Sequence, residues 1–332
     1  MTEDDRSNRT RSEARTRSPR DEGIPSRGRK LWRAWVELWD RREPPTALAL
    51  VRIAIALVAL IDLLNVRRLG LVDALWTRPP VGYATALPVW LTGHALWTLG
   101  VAACAAMLVG AATRIACVAF VIASVQMSRL APGSESGVDE VFRIACAILA
   151  LSRCNARWSL DALVARRLGH PPPAEVPAWP RYLLMLQLVW IYFSGGTNKS
   201  GAEWGPLGGF TALADALTDP HAARFAPGWV ATIYPLTRVA TAATMAFELG
   251  APLYLLLYYF AATRERPGRL RAACNRLHLR WLWIGLGMTF ELGIAITLRL
   301  GDFPWGMLAL FPVLLLPGEL RFPELRRRQT AG

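Results

Sequence analysis

Eight stretches of this chain are apolar over roughly the length a helix needs to cross a bilayer, ~20 residues. They fall near 46–64, 86–112, 115–131, 138–153, 179–196, 229–261, 279–298 and 303–317. A backbone immersed in hydrocarbon must satisfy its own N–H and C=O groups, so runs of this kind form helices. The reading is all-α: a polytopic transmembrane helical bundle of about eight spans. Some runs are short and the sixth is long, so tilt or partial burial is expected. The chain is 53% hydrophobic and carries a net charge of +13. In such a chain, basic charge points to membrane orientation and lipid headgroups before nucleic acid. No aromatic-basic interleaving of an RNA-binding type occurs, so the expected partner is the lipid bilayer, with no nucleic acid.

The arginines orient the bundle. Arg114, then Arg153, Arg157, Arg166 and Arg167, then Arg264 to Arg280, then Arg326 to Arg328 fall in alternate connections. Cytoplasmic loops carry the excess of Lys and Arg. Both termini are therefore expected in the cytoplasm, with Arg67, Arg68 and Arg78 in one dissenting loop. Residues 1–30 mix opposite charges with few apolar side chains and lack the apolar core of a signal peptide. They read as a disordered basic cytoplasmic arm. Residues 31–44 (LWRAWVELWDRREP) place Trp32, Trp35, Leu38 and Trp39 at helical spacing, as an interfacial amphipathic helix does. Residues 45–318 form the transmembrane domain, and 319–332 a basic cytoplasmic tail. With residue usage of a bacterial kind, the expected location is the bacterial cytoplasmic membrane, as a multi-pass protein.

Lysine is nearly absent. Of 38 basic residues other than histidine, two are lysines, Lys30 and Lys199, which leaves 36 arginines. Lys199 alone sits in the apolar body, at the end of the fifth run. Arginine does not lose its proton in a protein, whereas a desolvated lysine can. That makes Lys199 a candidate base; the alternative is a lysine snorkelling to the headgroups. The loop after it, 200–228, holds one basic residue, Arg224, beside Glu203, Asp215, Asp219 and His221.

A carboxylate at membrane depth costs ~2.5 kcal/mol or more, so it seeks a partner. Glu248 in the sixth run and Glu291 in the seventh have no cation within a turn on their own helices. Each must be neutral, bridged to another helix, or wet. A glutamate touching Lys199 makes the lysine a charged structural or anion-binding group; without that contact a base is the better reading. Asp139 and Arg143, four residues apart, can pair on one helix face. The five cysteines show neither a CxxC pair nor zinc spacing, so no metal is expected and they read as small core residues.

An ordered series of motifs resembles the HTTM domain, the membrane domain shared by vitamin K-dependent gamma-carboxylases and many bacterial proteins. The series begins with Arg52 in ALVRIAIALVALIDLL and Trp158-Ser159-Leu160-Asp161. It continues with Gln187, Tyr192-Phe193, the glycine pair, Lys199, Trp204 and Gly208 to Leu213, then Glu248 in FELGAP and Gly301 to Trp305. The resemblance implies Lys199 as the base that deprotonates a reduced quinone; with Glu248 and Glu291, the two carboxylates at membrane depth, as groups that polarise or relay protons, it makes up the expected catalytic set. Tyr192, Asn198, Trp204, Asp139 and Arg143 would bind the ligand. Asn198 stands where the carboxylases resemble a second lysine, and Glu291 where the family usually has a histidine. The expectation is thus a gamma-carboxylase-like protein holding a quinone-like or lipid-like small molecule in an outward-facing cavity. The alternatives are a non-catalytic binding or assembly protein with the same fold, and a proton-coupled transporter.

Overall fold

The computed structural model describes residues 26–77 and 92–320. Most of the expected polar arm, Arg78, the first residues of the second apolar run and the tail from 321 lie outside the described residues. The chain divides into two units, 1–41 and 42–332. The described part of the first is α1 (Ser26–Asp40), on which Trp35 and Trp39 meet edge to face at 5.1 Å. The amphipathic pattern puts this helix at 31–44; the structure moves it to 26–40. Pro44 and Pro45 bar the helix from running on to 44, because the residue before a proline is steered away from helical backbone, and Arg42–Glu43 is already extended as a strand.

The second unit opens with β1 (Arg42–Glu43), paired antiparallel with β2 (Val176–Pro177). Between these strands run α2 (Thr46–Arg68), α3 (Val72–Trp76), α4 (Gly93–Val109), α5 (Thr113–Leu130), α6 (Gly137–Leu151) and α7 (Leu160–Arg167). After β2 come α8 (Trp179–Asn198), α9 (Ala212–Thr218), α10 (Val230–Leu249), α11 (Leu253–Ala262), α12 (Arg269–Arg276), α13 (Leu279–Thr297) and α14 (Phe303–Leu310). A 3-10 turn, Phe311–Leu314, continues α14. The protein is mostly helical, and each apolar run contains a helix or a bent pair. Three helices, α2, α5 and α13, are long and apolar enough to cross a membrane, and α10 with α11 makes a fourth if counted as one span. The helices α4 and α14 with its turn are shorter apolar elements.

The long sixth run is the bent pair. α10 and α11 meet at 68° across Gly250–Pro252. Pro252 cannot donate the next helical hydrogen bond, and its ring opposes a continuous helix. The bend leaves Glu248 one residue before the end of α10, turned inward and buried.

Two polar assemblies hold the bundle. In the first, Arg52 of α2 is fully buried and donates to the Trp158 carbonyl at 2.5 Å. The Ser159 hydroxyl caps α7 at the Ala162 N–H. Asp161 accepts from the Ala112 N–H at 2.7 Å, the Thr113 N–H at 3.0 Å and the Asn155 amide at 3.0 Å. Burial pushes the Asp161 carboxyl up, but these hydrogen bonds outweigh it and hold the group below the usual carboxylate range. The Arg52 and Trp158-Ser159-Leu160-Asp161 motifs are thus halves of one structural joint.

The second assembly was not visible in the sequence. Arg181, near the start of α8 and 1% exposed, makes a two-pronged ion pair with Glu43 of β1 at 2.5 and 2.7 Å. It also donates to the Tyr258 hydroxyl at 2.6 Å and the Val313 carbonyl at 2.9 Å. Four chain segments therefore converge on one guanidinium. The fork of donors on arginine suits such a junction, where the single ammonium of lysine would not.

Four of the five cysteines, Cys104, Cys117, Cys146 and Cys154, are free and buried, while Cys274 is partly buried. The four buried ones pack in the core, three of them from positions within apolar runs, while Cys274 lies outside it.

Candidate functional site

The last turn of α8 comes close to the end of α10, and glycine permits it. A Cβ placed on Gly196 would lie 2.9 Å from the Glu248 Cβ and 3.1 Å from the Leu249 backbone nitrogen. Backbone cannot yield as a flexible side chain does. Gly196→Ala is therefore expected to lower stability by about 1–3 kcal/mol, the usual cost of overpacking. Thermal unfolding in detergent measures this; an unchanged midpoint would show that the approach is not tight.

That approach brings Lys199, the residue capping α8, onto Glu248. Its Nζ lies 2.6 Å from Oε1 and 2.5 Å from Oε2. The Trp204 ring lies 5.0 Å from the ammonium, within cation–π range. Of the two readings of Lys199, the structure supplies the glutamate contact on which the anchor reading depends. Glu248 is bridged to another helix, one of the three resolutions open to a carboxylate at this depth.

Glu291 takes another partner. It is 0% exposed, on α13, and accepts a hydrogen bond from the Tyr192 hydroxyl at 2.6 Å. Its second oxygen, Oε2, is buried without a hydrogen-bond partner. Such an atom is costly to leave unsatisfied and calls for an explanation. Tyr192 is held edge-on by Phe247 at 4.7 Å, Trp283 at 6.0 Å and Phe290 at 6.4 Å between ring centres. Its hydroxyl is thereby fixed on Glu291.

Both pairs border one cavity of about 300 Å³. Lys199, Glu248, Tyr192, Glu291 and Trp204 line it, and most of the remaining wall is apolar. The loop after Lys199 folds over this space rather than standing away from it. Ala212, Leu213 and Ala216 of its helix α9 form part of the wall. The loop is anchored by Arg238 Nε on the Gly209 carbonyl (2.6 Å), the Thr241 hydroxyl on the Leu213 N–H (3.2 Å) and the Arg224 N–H on the Thr297 carbonyl (2.9 Å).

The remaining expected site residues lie elsewhere. Asn198 is exposed, with its amide on the Ser194 hydroxyl at 3.3 Å, and does not line the cavity. Asp139 and Arg143 border a separate, smaller cavity of about 90 Å³ with Asp62, Glu135 and Asp302. Asp302 lines this smaller cavity and its chain neighbour Phe303 lines the larger one. Asp139 and Arg143 do not pair. Arg143 is bound to Glu135 at 2.8 Å. Asp139 turns back to the Ser136 N–H at 2.8 Å, closing a capping box at the start of α6. A carboxylate three residues into a helix finds an orphan N–H beside it, which outcompetes a cation a turn away. Among the described residues, no group of three or more His, Cys, Asp or Glu side chains converges as a metal site.

Sequence reasoning missed Thr241, Thr244 and Phe290. A signal existed for the first two. Thr241, Thr244 and Glu248 stand at i, i+3 and i+7, one face of a helix, so the polar stripe leading to the glutamate was legible.

A membrane helical bundle with paired ionisable groups around a largely apolar cavity is the class of protein that fold and site define. The sequence pattern of the HTTM domain matches residues 40–266, more than half of the chain. The chain belongs to the HTTM family. That match contains Tyr192, Lys199, Trp204 and Glu248, whereas α13 with Glu291 and α14 lie beyond it. No solved structure matches the chain.

Proposed function

We propose that this membrane protein binds a hydrophobic small molecule, quinol-like or lipid-like, in the cavity between Lys199 and Glu291. The unpartnered Oε2 of Glu291 carries the reading. A carboxyl oxygen buried on a cavity wall is satisfied by a ligand that brings a hydroxyl or another hydrogen-bonding group, and the apolar wall takes the rest of the molecule. Tyr192 fixes the carboxyl, and Trp204 covers the polar end. The volume, about 300 Å³, sits at the lower end of small-molecule pockets and suits a ring or a headgroup with the start of a tail.

Lys199 serves in this reading as a charged anchor locked by Glu248, which favours the non-catalytic alternative over the base. A carboxylase-like role would require the ligand to displace Glu248, whose two oxygens occupy the amine. The bundle carries its eight apolar segments as spans, both termini in the cytoplasm of a bacterial cell, and the cavity toward the outer face.

Native mass spectrometry of the detergent-purified protein tests the binding. The expected result is one equivalent of an apolar molecule, or uptake of an added naphthoquinol, both lost in Ala216→Phe, which fills the cavity from its α9 wall. Equal occupancy in Ala216→Phe, or no binding by the unaltered protein, overturns the proposal.

A further inference from the structure

The adjoining ends of α5 and α6 border a third, differently built cavity. It is wide, about 510 Å³, and lined by Arg114, Arg153, Asn155, Asp161, His170 and the Pro171–Pro173 run. Arg114 follows the first residue of α5, and Arg153 comes two residues after α6. Neither forms an ion pair among the described residues, and both guanidinium side chains are exposed. The one carboxylate in the lining, Asp161, is already committed. Its oxygens accept from the Ala112 and Thr113 N–H groups and from Asn155. The groove therefore presents two unneutralised cations converging on open space.

Its surroundings are apolar and exposed. Ile115, next to Arg114, and Leu151, two residues before Arg153, are each 73% exposed. Helix α7, which supplies one wall, exposes Leu160, Leu163 and Val164, and Leu168 just after it is exposed as well. In a membrane protein, such side chains face acyl chains, while the arginines beside them lie at headgroup level. A soluble anion would use the cations alone; a lipid uses both features.

We propose that this groove is a binding site for an anionic phospholipid, with its phosphate between Arg114 and Arg153 and its acyl chains along Ile115, Leu151 and the apolar side of α7. Basic pockets between transmembrane helix ends hold acidic headgroups by this combination of charge and apolar contact. Arginine forks match phosphate oxygens in pairs. The site is separate from the Lys199 cavity and does not depend on what that cavity binds.

Native mass spectrometry of the full chain with added phosphatidylglycerol or phosphatidylcholine tests this. Phosphatidylglycerol is expected to be retained in preference, and the Arg114→Gln, Arg153→Gln double variant to weaken that retention by roughly tenfold or more. Both residues are exposed, so folding should be kept, and thermal unfolding without lipid checks it. Arg269→Gln, on exposed α12, is the control. An equal loss in Arg269→Gln would assign the effect to diffuse surface charge and overturn the site. Glycerol phosphate competing as strongly as the whole lipid would assign the groove to a soluble phosphate and overturn the lipid assignment. Equal retention of both lipids by the unaltered protein would do so as well.

Discussion

Arg181→Met is expected to destabilise the folded protein by about 3–5 kcal/mol, the range for breaking a buried ion pair by removing one partner. Methionine fills much of the space but leaves Glu43 a buried carboxylate with no cation. It also strips donors from the Tyr258 hydroxyl and the Val313 carbonyl. The pair itself need not contribute much net stability, because both charges are desolvated to form it. The double variant Glu43→Leu, Arg181→Met separates the two effects. It removes the stranded charge and should recover most of the loss, leaving a deficit from the orphaned carbonyls. Unfolding midpoints in detergent, compared across the cycle, give the coupling. A single Arg181→Met variant as stable as the unaltered protein would mean that the junction of β1, α8, α11 and the Phe311–Leu314 turn does not depend on this guanidinium.

That junction marks where sequence reasoning stopped. The helices were legible because apolar length and helical spacing are local properties, and each run yielded a helix. The bend at Gly250–Pro252 was present in the sequence as Gly250-Ala251-Pro252, yet the unbroken apolar run masked it. The partner of Arg181 was not legible. Glu43 stands 138 positions away, and charge alone cannot choose it among the chain's many acids. The site shows the same division. Lys199, Glu248, Tyr192, Trp204 and Glu291 could be named singly, by rarity, by membrane depth or by resemblance. Their sorting into Lys199–Glu248 and Tyr192–Glu291 required the Gly196 approach and the ring packing around Tyr192. Asp139 and Arg143 failed because helix spacing permits a pair without choosing it over a capping box and a nearer Glu135.

Lys199 carries the second large effect, and its two substitutions separate the roles open to it. Lys199→Met is expected to cost about 3 kcal/mol, toward the lower end for a broken buried pair because the ammonium is partly exposed while Glu248 is not. Glu248 would be left desolvated against the Gly195–Gly196 backbone, and a compensating Glu248→Gln should restore most of the stability. Lys199→Arg is different. It keeps the positive charge, and the cavity gives its larger head room, so folding and ligand retention should both survive within about 1 kcal/mol. Arginine cannot give up its proton, so any turnover that uses Lys199 as a base would vanish in the same variant. Retained ligand with retained turnover excludes the base. Retained ligand with lost turnover restores it, with Glu248 as the group the substrate must displace. Loss of ligand and fold together would show that the 2.5 Å geometry tolerates the ammonium alone, and the anchor would then be a matter of shape as well as charge.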